Sequence, residues 1–146
     1  LRIFNAYGPG QSLPVSHAPV VPRFLSAALS GGSLVVYGGG QQTRDYVFVD
    51  DVVDALVAAA IASGISRTAI NIGSGQEVSV NDLLACVEHV TERRVNVIHN
   101  TQKDGGVPRL AADITQAQAL LGFSPRVTLA EGVALTLRRD PRFNSP

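Results

Sequence analysis

Short apolar runs rich in β-branched residues alternate along the chain with longer segments whose apolar residues recur at helical spacing. That alternation predicts an α/β domain of parallel strands joined by crossover helices. Strands are predicted near residues 1–5, 33–37, 46–49, 68–72 and 95–99. A first helix is expected to open at Pro22, whose fixed φ suits a first turn, and to stop at Gly31-Gly32, with Phe24, Leu25, Ala28 and Leu29 as its apolar stripe. A second is expected from Asp50-Asp51, either of which can cap free amides, through Val52 to about Ala62. It is so rich in Ala, Val, Leu and Ile that burial on most sides is expected.

Ser79 followed by Asp82 has the spacing of a capping box and starts a third helix that turns Leu83, Leu84, Val87 and Val90 inward. A short fourth helix is expected between Asp113 as cap and Gly122 as stop. The last opens on Thr128 and Glu131, again at capping-box spacing, and fades after Leu137, leaving residues 138–146 as a frayed tail. The stretches 7–19 and 99–108, rich in Gly, Pro and polar residues, read as long loops, a class that tends to be either functional or disordered.

Composition narrows the picture. With 146 residues, 45% of them hydrophobic, the chain suits one compact domain. Twelve basic residues balance twelve acidic ones, which argues against nucleic-acid or membrane-surface binding by bulk charge, so any anion must be bound locally. The basic set is Arg throughout except for Lys103, a bias toward the planar fork that grips phosphate or carboxylate. Cys86 is the only cysteine, so no intramolecular disulfide forms and a reducing, cytoplasmic compartment is expected. The most apolar run, residues 52–62, is too short for a bilayer and is broken by Asp54. The sequence contains no Met and residues 1–4 read as the inside of a strand, so the chain is expected to be a piece of a longer protein.

The sharpest chemical feature is the run Tyr37-Gly-Gly-Gly-Gln-Gln-Thr-Arg44-Asp45-Tyr46, a flexible turn that delivers an arginine between two strands. Glycines let backbone approach a ligand, and Arg44 can donate charge-assisted hydrogen bonds to phosphate oxygens. The same spacing equally suits glycines that merely turn the chain and an Arg44 paired on the surface with Asp45 or Asp51. No Gly-x-Gly-x-x-Gly phosphate turn occurs. His17, His89 and His99 are scattered, Cys86 has no nearby partner for zinc, and the carboxylates Asp50, Asp51 and Asp54 are explained as caps and a solvated first turn. The residues by themselves place no catalytic group in this chain.

The order of several blocks carries a further signal. Arg2-Ile-Phe-Asn5-Ala-Tyr7-Gly-Pro-Gly is followed by Val20-Val-Pro22-Arg-Phe24, then Val36-Tyr37-Gly-Gly-Gly-Gln-Gln-Thr-Arg44-Asp45-Tyr46-Val-Phe-Val-Asp50-Asp51-Val. After these come Ile70-Asn71-Ile-Gly73-Ser-Gly75, Ala112-Asp113 and Leu121-Gly122-Phe123-Ser-Pro125. In this order the blocks resemble the C-terminal half of the extended short-chain dehydrogenase/reductases, the NAD-dependent sugar-nucleotide epimerases and dehydratases, over nearly the whole chain. The resemblance implies the last strands of a Rossmann sheet plus a small α/β substrate-binding domain, with residues 1–146 as a single fragment. The Rossmann half that holds most of NAD, and a catalytic Tyr-x-x-x-Lys pair, would lie upstream, so the isolated chain is expected to be inactive.

What the resemblance implies for individual residues is specific. Phe4 would border the nicotinamide and Asn5 would hydrogen-bond the substrate. Val20 and Val21 would form one wall of a nucleobase slot, with Val35, Val36 and Tyr37 as the other, and Arg44 would clamp the pyrophosphate. Lys103 and Asp104 fall where the family shows Arg-x-Gly-Asp, so that Lys103 replaces a phosphate-binding Arg and Gly106 a ribose-contacting Asp. Arg109 would supply some of that phosphate contact. Gly39 stands where Asp is usual, and Leu110 where several relatives place Tyr. The implied ligand is a UDP- or dTDP-sugar, and the full-length protein would be a homodimer. The alternative is a nucleotide-sugar-binding module without chemistry.

Overall fold

The computed structural model describes residues 1–12, 19–102 and 105–143. In chain order its elements are β1 (Arg2–Ile3), β2 (Asn5–Tyr7), α1 (Val20–Ser30), β3 (Ser33–Tyr37), β4 (Thr43–Arg44), β5 (Tyr46–Phe48), α2 (Val49–Ile61), β6 (Asn71–Ile72), β7 (Val78–Ser79), α3 (Val80–Thr91), β8 (Asn96–Asn100), α4 (Thr115–Leu121) and α5 (Leu129–Arg139). Strands pair as β1–β6, β2–β5 and β3–β8, all parallel, and as β4–β7, antiparallel. The α/β class with parallel pairing is the one read from the sequence.

The strand expected over residues 1–5 is two strands, because the chain changes partner at Phe4: its amide still donates to the Ile72 carbonyl, while Asn5 already pairs with Tyr46. β4 and β7 were not expected. They are two residues each, below the length at which alternation is visible, and exist because they pair with one another as a separate two-stranded ribbon.

β5 divides the interior. Its three residues are all buried, and since successive side chains of a strand point to opposite faces, Tyr46 and Phe48 join one core while Val47 joins another. The first core packs α1, α3 and α5 through Phe24, Leu25, Leu83, Val87 and Val133. The second sets Val52 and Ala55 of α2 against Ile72 of β6 and Ala117 of α4.

Both capping boxes form: the hydroxyls of Ser79 and Thr128 accept from the amides of Asp82 and Glu131, whose carboxylates reach back. α1 starts two residues before Pro22, at Val20, and closes on Gly31 in the left-handed conformation (φ 68°). α4 is preceded by Ile114, and Asp113 instead accepts from the Thr115 amide. α2 starts at Val49 after Phe48, with no side-chain cap, so Asp50 and Asp51 do not cap it. The expectation that α2 is buried on most sides also fails: Val53, Leu56, Val57 and Ile61 are exposed. Its composition is apolar all round, but only one side meets the second core. No described helix is long and apolar enough to cross a membrane.

The tail is not frayed through its described part. α5 runs on to Arg139, and Asp140 is buried, accepting from the Gly10 amide (2.8 Å) and from the backbone and guanidinium of Arg142. Arg142 also donates to the Gln11 carbonyl at 2.7 Å. These bonds pin the loop after β2.

Candidate functional site

A cleft of about 320 Å³ opens between β2 and the start of α1, closed on its far side by Gln42, Arg44 and Gly105. Tyr7, Tyr46, Val20, Val21 and Val80 make its apolar walls. Four residues expected at the site therefore come together: Asn5, Val20, Val21 and Arg44. Asn5 is oriented by its Nδ2, which donates to the Asp45 carbonyl at 2.9 Å. Val20 and Val21 face the cleft because α1 begins two residues earlier than Pro22 suggests.

Arg44 lies on β4, half-buried. Its Nη1 donates to the carbonyls of Thr43 and Val107, both at 2.7 Å. It pairs with neither Asp45 nor Asp51. Asp45 is fully buried and accepts from the Ser74 amide and hydroxyl and from the amides of Gly75 and Ala112, at 2.6–3.0 Å. Asp51 is buried too, receiving the amides of Arg126 and Val127. Both neighbouring carboxylates are thus spent on backbone, and among the described residues no carboxylate neutralises Arg44. A half-buried guanidinium at a cleft with apolar walls suits a phosphate or carboxylate ligand.

The other expected residues lie elsewhere. Val36 is buried in the first core, while Val35 and Tyr37 are exposed on the opposite face of β3 and line a separate hollow along α1 with Arg23 and Ser30. Tyr37 touches the cleft wall through its carbonyl, which accepts from Gln42 Nε2 at 3.1 Å. Phe4 is half-buried between β1 and β2, beside Asn5 but outside the cleft lining. Arg109 is held by Glu77, with Nε and Nη2 donating at 2.9 and 2.6 Å. Lys103 and Asp104 lie outside the described residues.

The glycine turn before Arg44 serves the fold. Gly40 has φ 73°, and a Cβ there would run into the Asn81 amide, which itself donates to the Gly39 carbonyl. The turn is docked on the start of α3, and its glycines answer that contact. The Asp50, Asp51 and Asp54 cluster disperses in the same way, onto Arg139, the amides before α5, and Arg126.

Tyr46 and Gln11 enter the site without having been singled out. Tyr46 follows from strand alternation after Arg44, whereas Gln11 lies in a loop with no periodic signal. Gln11 Nε2 donates to the Ala6 carbonyl, and its buried Oε1 has no partner among the described residues. Burial pushes the hydroxyls of Tyr7 and Tyr46 above their ordinary value, for Tyr7 with help from Cys86, Asp51 and Glu131, and for Tyr46 against the pull of Arg44. Both remain neutral hydrogen-bonding phenols at physiological pH.

Parallel strand pairs beside an apolar cleft, with an arginine that no described carboxylate neutralises, make an α/β protein whose cleft has the chemistry to suit an anionic organic ligand. Residues 1–73 match the NAD dependent epimerase/dehydratase family, and the chain belongs to that family. It is 39% identical to a UDP-glucose 4-epimerase of Mycolicibacterium smegmatis over 91% of this chain and 42% of that protein. It is 32% identical to UDP-glucuronic acid decarboxylase 2 of Arabidopsis thaliana, over 94% of this chain and 30% of the relative. The crystal structure of UDP-glucose 4-epimerase from Thermotoga maritima with UDP-glucose superposes with a TM-score of 0.86 at 35% identity, covering 94% of this chain and 43% of that one. The chain thus spans 42% and 43% of the two 4-epimerases and 30% of the decarboxylase, well under half of each. The extended short-chain dehydrogenase/reductase fold read from the ordered blocks is the fold it has.

Proposed function

We propose that this chain is the nucleotide-sugar-binding part of an NAD-dependent 4-epimerase or a related dehydratase or decarboxylase. The observation that carries the reading is Arg44, at the mouth of an apolar-walled cleft, with the described carboxylates Asp45 and Asp51 engaged elsewhere. The relatives support it: a 4-epimerase and a decarboxylase both named for UDP-sugars match over nearly all of this chain.

In this reading Arg44 binds the diphosphate, the apolar side chains of Val20 and Val21 lie along the base, and Asn5 holds the sugar end near Phe4. Holding the nucleotide at a distance from the reacting carbon orients the sugar, which lowers the entropic part of the barrier. When bound, NAD would accept a hydride from the sugar and return it. In the same reading Phe4, where β1 hands over to β2, borders its nicotinamide, and the sequence carries no glycine phosphate turn for its diphosphate. The residues that move a proton belong, by the same reading, to sequence preceding Leu1.

Arg44→Ala in the full-length protein should weaken UDP binding by roughly 1.5–3 kcal/mol, the range for a hydrogen bond to a charged group. Calorimetric titration measures it. Unchanged affinity removes Arg44 from the site and the proposal with it.

A further inference from the structure

Arg44 does not stand alone. A loop over residues 105–112 crosses the β4–β7 ribbon and is tied to it at successive points. The Thr43 amide donates to the Pro108 carbonyl at 2.9 Å, and the Arg109 guanidinium grips both oxygens of Glu77. The Thr43 hydroxyl donates to the same Glu77 carboxylate at 2.8 Å, and the Ala112 amide ends on Asp45. Upstream of these ties the loop carries Gly105 into the cleft wall and Gly106 close to Arg44, where an added Cβ would sit 3.9 Å from Nη2. Between them, the Val107 carbonyl takes one hydrogen of Arg44 Nη1 while the Thr43 carbonyl takes the other.

Both hydrogens of Nη1 are therefore used inside the protein, and among the described residues Nε and Nη2 have no partner. We infer that Glu77 and Arg109 form a latch that positions Arg44: by holding the loop, the pair keeps the Val107 carbonyl where it fixes one arm of the guanidinium and turns the other arm to the ligand's diphosphate. This rests on the reading of Arg44 given above. Neither Glu77 nor Arg109 lines the cleft, so both act through Arg44 and are positioning residues. The pair is solvent-exposed, and such pairs add little to folding stability, so its effect belongs in binding and not in melting. A bidentate fork is what the geometry uses, which a lysine at position 109 cannot reproduce.

The test compares UDP with uridine, which lacks the diphosphate, by calorimetric titration of the full-length protein and its variants Arg44→Ala, Glu77→Gln, Arg109→Ala and Glu77→Gln/Arg44→Ala. Glu77→Gln and Arg109→Ala should each weaken UDP binding about three- to tenfold, a size usual for coupled neighbours. Uridine affinity and melting temperature should stay as in the parent, and Glu77→Gln should add nothing in the Arg44→Ala background. UDP affinity unchanged in both latch variants, or uridine lost in equal proportion, overturns the latch while Arg44 stands. If Arg44→Ala itself leaves UDP binding intact, the functional reading fails first and the latch falls with it.

Discussion

Asp45 is where several distant segments meet through one side chain. Its carboxylate receives hydrogen bonds from the turn after β6 and from Ala112, and its own carbonyl orients Asn5 at the cleft. A buried carboxylate is tolerable only when so satisfied, because desolvation otherwise favours its neutral form. Asp45→Asn keeps the shape but turns an acceptor into a donor toward amides, and should cost about 2–4 kcal/mol in urea unfolding. Gly73 is tied to the same point: a Cβ there would lie 2.6 Å from both Asp45 Oδ2 and the Ala112 Cβ. Gly73→Ala should therefore destabilise by about 1–3 kcal/mol through overpacking, again read by urea unfolding.

The elements of this protein are joined by their ends. α5 is held at its start by Thr128, by Asp51 and by the Arg126–Asp54 pair, and at its close by Asp140. Thr128→Ala removes a capping hydroxyl and should cost about 1 kcal/mol by thermal melting. Asp140 is the sharper case, since the Arg142 guanidinium, aided by the Gly10 amide, holds its carboxyl far below the ordinary aspartate range. With the folded value depressed, Asp140 adds stability above its unfolded pKa of about 3.9, and that contribution is lost as pH falls through the folded value. Asp140→Asn should then be clearly less stable than the parent at pH 7, with a gap that starts to close only below about pH 4. Denaturant titrations across that range measure it, and a gap independent of pH contradicts the assignment.

At the scale of the whole molecule, two cores lie on either side of β5 and one face of α2 belongs to neither. Val57 is 57% exposed and Ile61 81%, with Leu56 and Val53 beside them, and Ile3 of β1 is exposed as well. An apolar face of this kind is covered in a stable soluble protein. Residues 1–146 expressed alone should self-associate, and Leu56→Lys with Val57→Lys should shift their sedimentation toward the monomer.

The fold class, most helix ends and the family were legible in the sequence, for local reasons. Capping boxes at Ser79 and Thr128 and the left-handed stops at Gly31 and Gly122 depend on residues within a turn of one another. Ordered blocks around Asn5, Val20 and Arg44 pointed to residues that the fold does gather into one cleft. What tertiary structure alone decided are the partners of charges and the exposure of faces. Asp50 and Asp51 read as caps because they open a helix, yet they serve α5, far along the chain. α2 reads as buried because apolar composition does not say how many neighbours pack against it. Arg44 stands unneutralised by any described carboxylate because Asp45, next to it in sequence, is buried between β4 and β5 and is held by Ser74 and by the amides of Gly75 and Ala112. Such outcomes follow from contacts between residues distant in sequence, which no local pattern encodes.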